Sequence, residues 1–156
     1  MDIEGDDIVE LWKAFHKNEV EYILVGGFAV NFYGYSRTTG DLDVWIKDSA
    51  TNREKLAAAF SEIFADDFEY MKTMQFVPGW STFKIDSGFE VDIMTDLKGL
   101  PQSEFDACFK MSKMETILGI PVRFLHYNDL VRSKIAAGRP KDLEDLKELR
   151  LRNEED

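Results

Sequence analysis

Two aspartates one residue apart, Asp41 and Asp43, open the otherwise apolar segment "DLDVWI". Side chains alternate across a strand, so both point to one face while Leu42, Val44 and Ile46 point to the other. "FEVDIM" repeats the design, with Phe89, Val91 and Ile93 turned inward and Glu90 and Asp92 outward. If the two strands are neighbours, Asp41, Asp43 and Asp92 converge on one patch. Two unit charges about 4 Å apart repel by roughly 1 kcal/mol in water and about 4 kcal/mol at an effective dielectric of 20. A hard divalent cation compensates that cost, because carboxylate oxygens are the ligands Mg²⁺ or Mn²⁺ prefers. A pair of such ions activates an attacking oxygen and supports a leaving one. The spacing alone leaves the plainer reading open, in which strand-end aspartates face water.

A glycine pair adds a second element. After the apolar "YILV" the chain passes through Gly26-Gly27 straight into "FAVNFYGY". Residues without a Cβ let backbone amides approach a ligand closely, and amides at a helix start suit phosphate. A tight turn needing positive φ accounts for a lone pair equally well. The pair is neither a G-x-G-x-x-G fingerprint nor a G-x-x-x-x-G-K-[ST] loop, so a dinucleotide fold or P-loop has little support.

The elements that must hold these residues follow from periodicity. "DDIVELWKAFHKNEV" places Ile8, Leu11, Trp12 and Phe15 at helical spacing, with Asp6 or Asp7 as its cap. "YILV" and "DLDVWI" are strands on either side of a short helix closed by Gly34. "TNREKLAAAFSEIF" is an amphipathic helix capped by Thr51, with Leu56, Phe60, Ile63 and Phe64 on one face. "FEYMK", "STFKID" and "FEVDIM" have strand composition, the last two joined at Ser87-Gly88. "SEFDACFK" is a short helix, and "METILG" and "IPVRFL" form a hairpin near Gly119. The end is two helices: "NDLVRSKIAAG", capped by Asn128 and closed by Gly138, then "PKDLEDLKELRLR" from Pro140. In the first of these Leu130, Val131 and Ile135 are placed toward the core and Lys134 at its edge, so that Lys134→Ala is expected to change stability by no more than about 0.5 kcal/mol. The sum is an α/β (α+β) fold around one mixed sheet flanked by helices, with two C-terminal helices.

Composition excludes several functions. The 156 residues fit a single domain over 1–156, with 44% hydrophobic residues to build a core. Residues 20–95 are read as the core and 125–152 as a helical extension. A net charge of −11 opposes coating of nucleic acid, which needs a basic face. One cysteine, Cys108, rules out an intrachain disulfide and fits a reducing compartment. The acidic start resembles no signal peptide and no apolar run spans a bilayer, so no membrane partner and a cytoplasmic location are expected. His16 and His126 lack metal-ligand spacing and are read as structural or solvent-facing, and Phe28, Phe32, Tyr33 and Trp45 as core, with Tyr33 or Tyr35 able to reach the site.

The combination "VGGFAVNFYG…RTTGDLDVWI…FEVDIM" resembles the DNA polymerase β-type nucleotidyltransferase superfamily. Its hallmark is a helix-starting Gly-Gly or Gly-Ser, a D-x-D strand and a third carboxylate on a nearby strand. "DLVRSKIAAGRPKDLEDLKEL" is similar to the C-terminal part of AbiEii-like and minimal nucleotidyltransferases, including toxin–antitoxin members, so the resemblance covers about Tyr22 to Leu149. It implies the nucleotidyltransferase fold, with Gly26 and Gly27 on the triphosphate of an NTP. Asp41, Asp43 and Asp92 would bind Mg²⁺ or Mn²⁺, Asp92 also assisting as base. Lys134 would face the phosphates with Asp142 near it, and Arg37 and Thr39, in the loop before D-x-D, would contact nucleotide. Where many relatives carry serine, Gly27 offers backbone alone. The implied activity is transfer of NMP to a hydroxyl of an RNA end such as tRNA, a small molecule or a partner protein. The alternative is a non-catalytic nucleotide-binding or regulatory protein on the same fold, such as a toxin–antitoxin component acting by association.

Overall fold

The computed structural model describes residues 6–37, 40–85 and 88–154. The chain runs α1 (Asp6–Lys17), β1 (Tyr22–Val25), α2 (Gly26–Phe32), β2 (Asp41–Ile46), α3 (Ala50–Phe64), β3 (Thr82–Lys84), β4 (Glu90–Met94), α4 (Phe105–Met111), β5 (Lys113–Ile117), β6 (Ile120–Phe124), α5 (Tyr127–Ala137) and α6 (Pro140–Asn153). The six strands form one mixed sheet in the order β3-β4-β2-β1-β6-β5. β2 pairs parallel with β4 and antiparallel with β1. The expected α/β architecture, a mixed sheet flanked by helices with two helices at the C-terminal end, is what the chain adopts.

The strand alternation divides the molecule into two apolar layers. On one face Leu42, Val44, Ile46, Val91 and Ile93 meet Ile8, Leu11, Trp12 and Phe15 of α1 and Leu56 and Phe60 of α3. On the other, Ile23, Val25, Trp45 and Met94 meet Ala29 and Val30 of α2, Phe105 of α4, Leu130 of α5 and Leu149 of α6. Asp41, Asp43 and Asp92 belong to this second face, because they alternate with Leu42, Val44 and Val91. Burial of each large side chain contributes about 1.5–3 kcal/mol, so both faces fix the register. A slip of one residue would turn the aspartates into the first apolar layer.

Several local expectations are corrected. "FEYMK" is not a strand: Glu69–Lys72 forms a 3-10 turn. Asp67 Oδ1 accepts from the Glu69 backbone N–H at 2.9 Å, a local side-chain bond that competes with a ladder. The α3 cap is Ser49, whose hydroxyl accepts from Asn52 N at 3.1 Å, and not Thr51, which lies inside the helix. His126 rather than Asn128 caps α5, its Nδ1 accepting from Asn128 N at 3.1 Å. α1 already includes Asp6 and Asp7 in its first turn. β3 and β4 pair antiparallel as expected; Ser87 of the connecting Ser87-Gly88 lies outside the described residues. No helix among the described residues is long and apolar enough to cross a membrane.

Candidate active site

β2 and β4 are in register with Asp41 opposite Glu90 and Asp43 opposite Asp92. Facing residues of adjacent strands share a sheet face, so the Asp43 and Asp92 carboxylates stand side by side and Asp41 lies one pair further along. β1 closes the other side, with Val25 opposite Asp43. The chain then turns at Gly26, φ 65°, into α2. A Cβ on Gly26 would overlap Asp43 Oδ2. Gly26 is therefore required twice, by its left-handed backbone and by the carboxylate lying against it. Gly27, Phe28, Ala29 and Val30 behind it are buried.

This environment opposes ionisation. Burial, then the charges of Asp92 and Asp41, push the Asp43 carboxyl up from 3.8 to about 7, although Lys134 and Lys141 pull the other way. Asp92 is raised as well, chiefly by burial, with Asp41 and Glu90 adding repulsion. Hydrogen bonds temper the shift at Asp92: Gly79 N–H donates to its Oδ2 at 2.7 Å and Thr82 Oγ1 to its Oδ1 at 3.4 Å. The donor set is all carboxylate, which suits a hard divalent ion. Among the described residues, however, no three His, Cys, Asp or Glu side chains are gathered in a metal-holding group. The fit to Mg²⁺ or Mn²⁺ is one of donor chemistry and strand placement.

Beside the carboxylates lies a charged network joining three elements. Lys134 Nζ on α5 bonds Asp142 Oδ1 at 3.1 Å and Asp145 Oδ2 at 3.0 Å on α6. Arg37, in the loop before β2, grips Asp145 bidentately at 2.8 and 3.0 Å. Arg139 reaches Asp142 at 2.6 and 3.2 Å, and Asp142 also accepts from the Arg139 backbone N–H at 3.1 Å. Burial would raise the Asp142 carboxyl, but the Arg139 and Lys134 bonds outweigh it and hold it at about 2. Three cations, Arg37, Lys134 and Arg139, face two carboxylates, Asp142 and Asp145. The local excess of positive charge adjoins Asp43, whose ionisation Lys134 favours.

The sequence-predicted residues are thus distributed as follows. Asp43 lies against Gly26 and is in register with Asp92 on the next strand, with the buried Gly27 and the exposed Asp41 adjoining in sequence. Arg37, Lys134 and Asp142 form the flanking network, and Thr39 lies outside the described residues. Lys134 corrects its expected setting: Lys134 and Ser133 are buried while Ile135 is 55% exposed. The lysine is a buried partner of two carboxylates, so its removal is not the near-neutral surface change expected. Asp145 was missed in the sequence. Its one signal is the spacing Asp142-x-x-Asp145, which puts both on one helix face. Tyr33 donates to Leu125 O at 2.6 Å, and Tyr35 lies under the Arg152 guanidinium at 5.3 Å, so both rings hold structural contacts.

The same fold occurs in known proteins. The fold resembles an antigenic nucleotidyltransferase-like protein from Paracoccidioides brasiliensis, with a TM-score of 0.59, 19% identity and coverage of 92% of this chain and 74% of that one. A candidate nucleotidyltransferase from Thermotoga maritima aligns with a TM-score of 0.58, 14% identity and coverage of 90% and 88%. The antibiotic-resistance factor ANT(2'')-Ia aligns with a TM-score of 0.54, 14% identity and coverage of 93% and 81%. At these identities the likeness is one of fold. No curated protein matches the chain by sequence. The family described as "Nucleotidyltransferase of unknown function (DUF6036)" matches residues 6–156, and the chain belongs to that family.

Proposed function

We propose that the protein is a metal-dependent nucleotidyltransferase that moves an NMP from an NTP onto a hydroxyl acceptor. The observation that carries this reading is the register pairing of Asp43 with Asp92 against Gly26, beside a network with excess positive charge. Asp41, Asp43 and Asp92 would hold Mg²⁺ or Mn²⁺, which would supply charge neutralisation at the α-phosphate. Gly26 lets the backbone of the β1–α2 turn lie against the Asp43 carboxylate, and Lys134, Arg37 and Arg139 set a positive field beside it for the phosphates. Asp142 and Asp145 hold those cations in place. The acceptor oxygen forms a bond to the α-phosphorus, the α–β bridging bond breaks, and pyrophosphate leaves with the bonding pair. Asp92 takes the hydroxyl proton, a role that its raised carboxyl favours.

The finer identity is part of the same proposal. The C-terminal resemblance to AbiEii-like and minimal nucleotidyltransferases favours a toxin–antitoxin component acting in the cytoplasm, where NTPs and Mg²⁺ are available. A second reading, a non-catalytic nucleotide-binding protein, draws on Asp92, whose two oxygens already hold Gly79 and Thr82. Incubation with α-labelled NTPs and Mg²⁺ separates the two: transfer of label supports the enzyme, and nucleotide binding without transfer supports the second.

A further inference from the structure

Trp80 is 86% exposed, whereas Trp12 and Trp45 are fully buried. It closes the turn Val77-Pro78-Gly79-Trp80. Pro78 stands second, Gly79 third with φ 79°, and Trp80 N–H donates to Val77 O at 2.9 Å; these are the marks of a type II turn. The turn is anchored from both sides. Ser81 Oγ accepts from Val77 N at 2.8 Å, and Ile93 N–H of β4 donates to Ser81 O at 2.9 Å. Its Gly79 N–H is bonded to the Asp92 carboxylate. The backbone that carries this exposed indole is thus anchored one residue from a group bonded to Asp92, so less backbone ordering is left for binding.

Its place in the sheet selects its ligand. The order β3-β4-β2-β1 sets Trp80, just before β3, on the Asp92 side of the site and Gly26 on the opposite side. In an in-line displacement the entering and leaving oxygens lie on opposite sides of the phosphorus. With the leaving pyrophosphate toward Gly26 and the cation network, the entering hydroxyl arrives at Asp92, beside Trp80. We infer that Trp80 is an acceptor-contacting residue that stacks on a ring adjoining the acceptor hydroxyl, as in a nucleoside or a sugar. This rests on the nucleotidyltransferase reading and adds the acceptor class to it. Aromatic faces bind rings with little sequence preference, so an aliphatic hydroxyl of serine or threonine is disfavoured.

The test uses the whole chain with α-labelled NTP and Mg²⁺, offered separate RNA, small-molecule and protein fractions of a cell extract. The labelled acceptor is identified, and KM for it and for NTP is measured in wild type, Trp80→Ala and Trp80→Phe. Label is expected on a nucleoside or sugar hydroxyl, the RNA and small-molecule fractions distinguishing the two sources. Trp80→Ala should raise the acceptor KM about tenfold or more, leave the NTP KM and the melting temperature unchanged, and be partly rescued by phenylalanine. An unchanged acceptor KM, a raised NTP KM instead, or label confined to serine or threonine overturns the role of Trp80 while leaving the transferase reading standing. Wild type that neither transfers nor binds NTP overturns both.

Discussion

At the scale of single residues, Asp43 is the most strained group of the site and the most informative to change. Its carboxyl is raised to about 7 by burial and by Asp92 and Asp41. Between pH 4 and 7 the folded chain holds a proton that the unfolded chain has released, so this group lowers stability progressively as pH rises. Asp43→Asn keeps the shape and removes the charge. The variant should melt above wild type, with a gap that widens from pH 4 to pH 8 and reaches at least about 1 kcal/mol, while NMP transfer is lost. Thermal unfolding across that range, beside a transfer assay, checks both. Gly26→Ala should do the opposite to stability, because its Cβ would overlap Asp43 Oδ2 and its φ is 65°. A loss of about 1–3 kcal/mol together with lost transfer is expected, read by denaturant unfolding.

At the scale of elements, α5 and α6 are coupled to β2 through charge as well as packing. Lys134 lies between Asp142 and Asp145, and Asp145 reaches Arg37. Lys134→Ala leaves two buried carboxylates short of a partner and should cost about 3 kcal/mol, measured by urea unfolding; Arg37 and Arg139 keep the loss from being larger. Asp142, held at about 2, contributes stability that is complete above its unfolded value near 4 and is lost as pH falls from there through about 2. Asp142→Asn should therefore flatten the acid limb of the stability profile. Only the nearness of Asp142 to Lys134 was expected, from the resemblance; Asp145, its bond to Arg37 and the burial of the lysine were not legible, because an i, i+3 acid pair reads like solvated helix charge and only tertiary packing decides otherwise. The strand pair was legible, because period-two alternation in "DLDVWI" and "FEVDIM" specifies which face each aspartate takes. Caps were less so, since Ser49 and Thr51, or His126 and Asn128, stand close enough that local chemistry does not choose. "FEYMK" has strand composition, yet Asp67 closes a 3-10 turn there. Trp80 gave no periodic signal, since its meaning depends on which strand its turn is tied to.

At the scale of the whole molecule, the proposed ion site is assembled only by folding, which sets Asp43 of β2 in register with Asp92 of β4. An ion bound by the fold alone stabilises it by mass action. Millimolar Mg²⁺ or Mn²⁺ should raise the melting temperature of wild type and shift Asp43→Asn much less; equal shifts would mark a non-specific effect on an acidic protein. The family assignment and the fold place the chain among nucleotidyltransferases, and the carboxylates of β2 and β4 are where that chemistry is proposed to occur. The most direct measurement is transfer of label from α-labelled NTPs in Mg²⁺ by wild type and Asp43→Asn, with pyrophosphate release followed in parallel. Wild type should pass label to an acceptor with one pyrophosphate released per NMP, and Asp43→Asn should pass none. Wild-type protein that binds NTP yet releases no pyrophosphate, or an Asp43→Asn variant as active as wild type, would contradict the account.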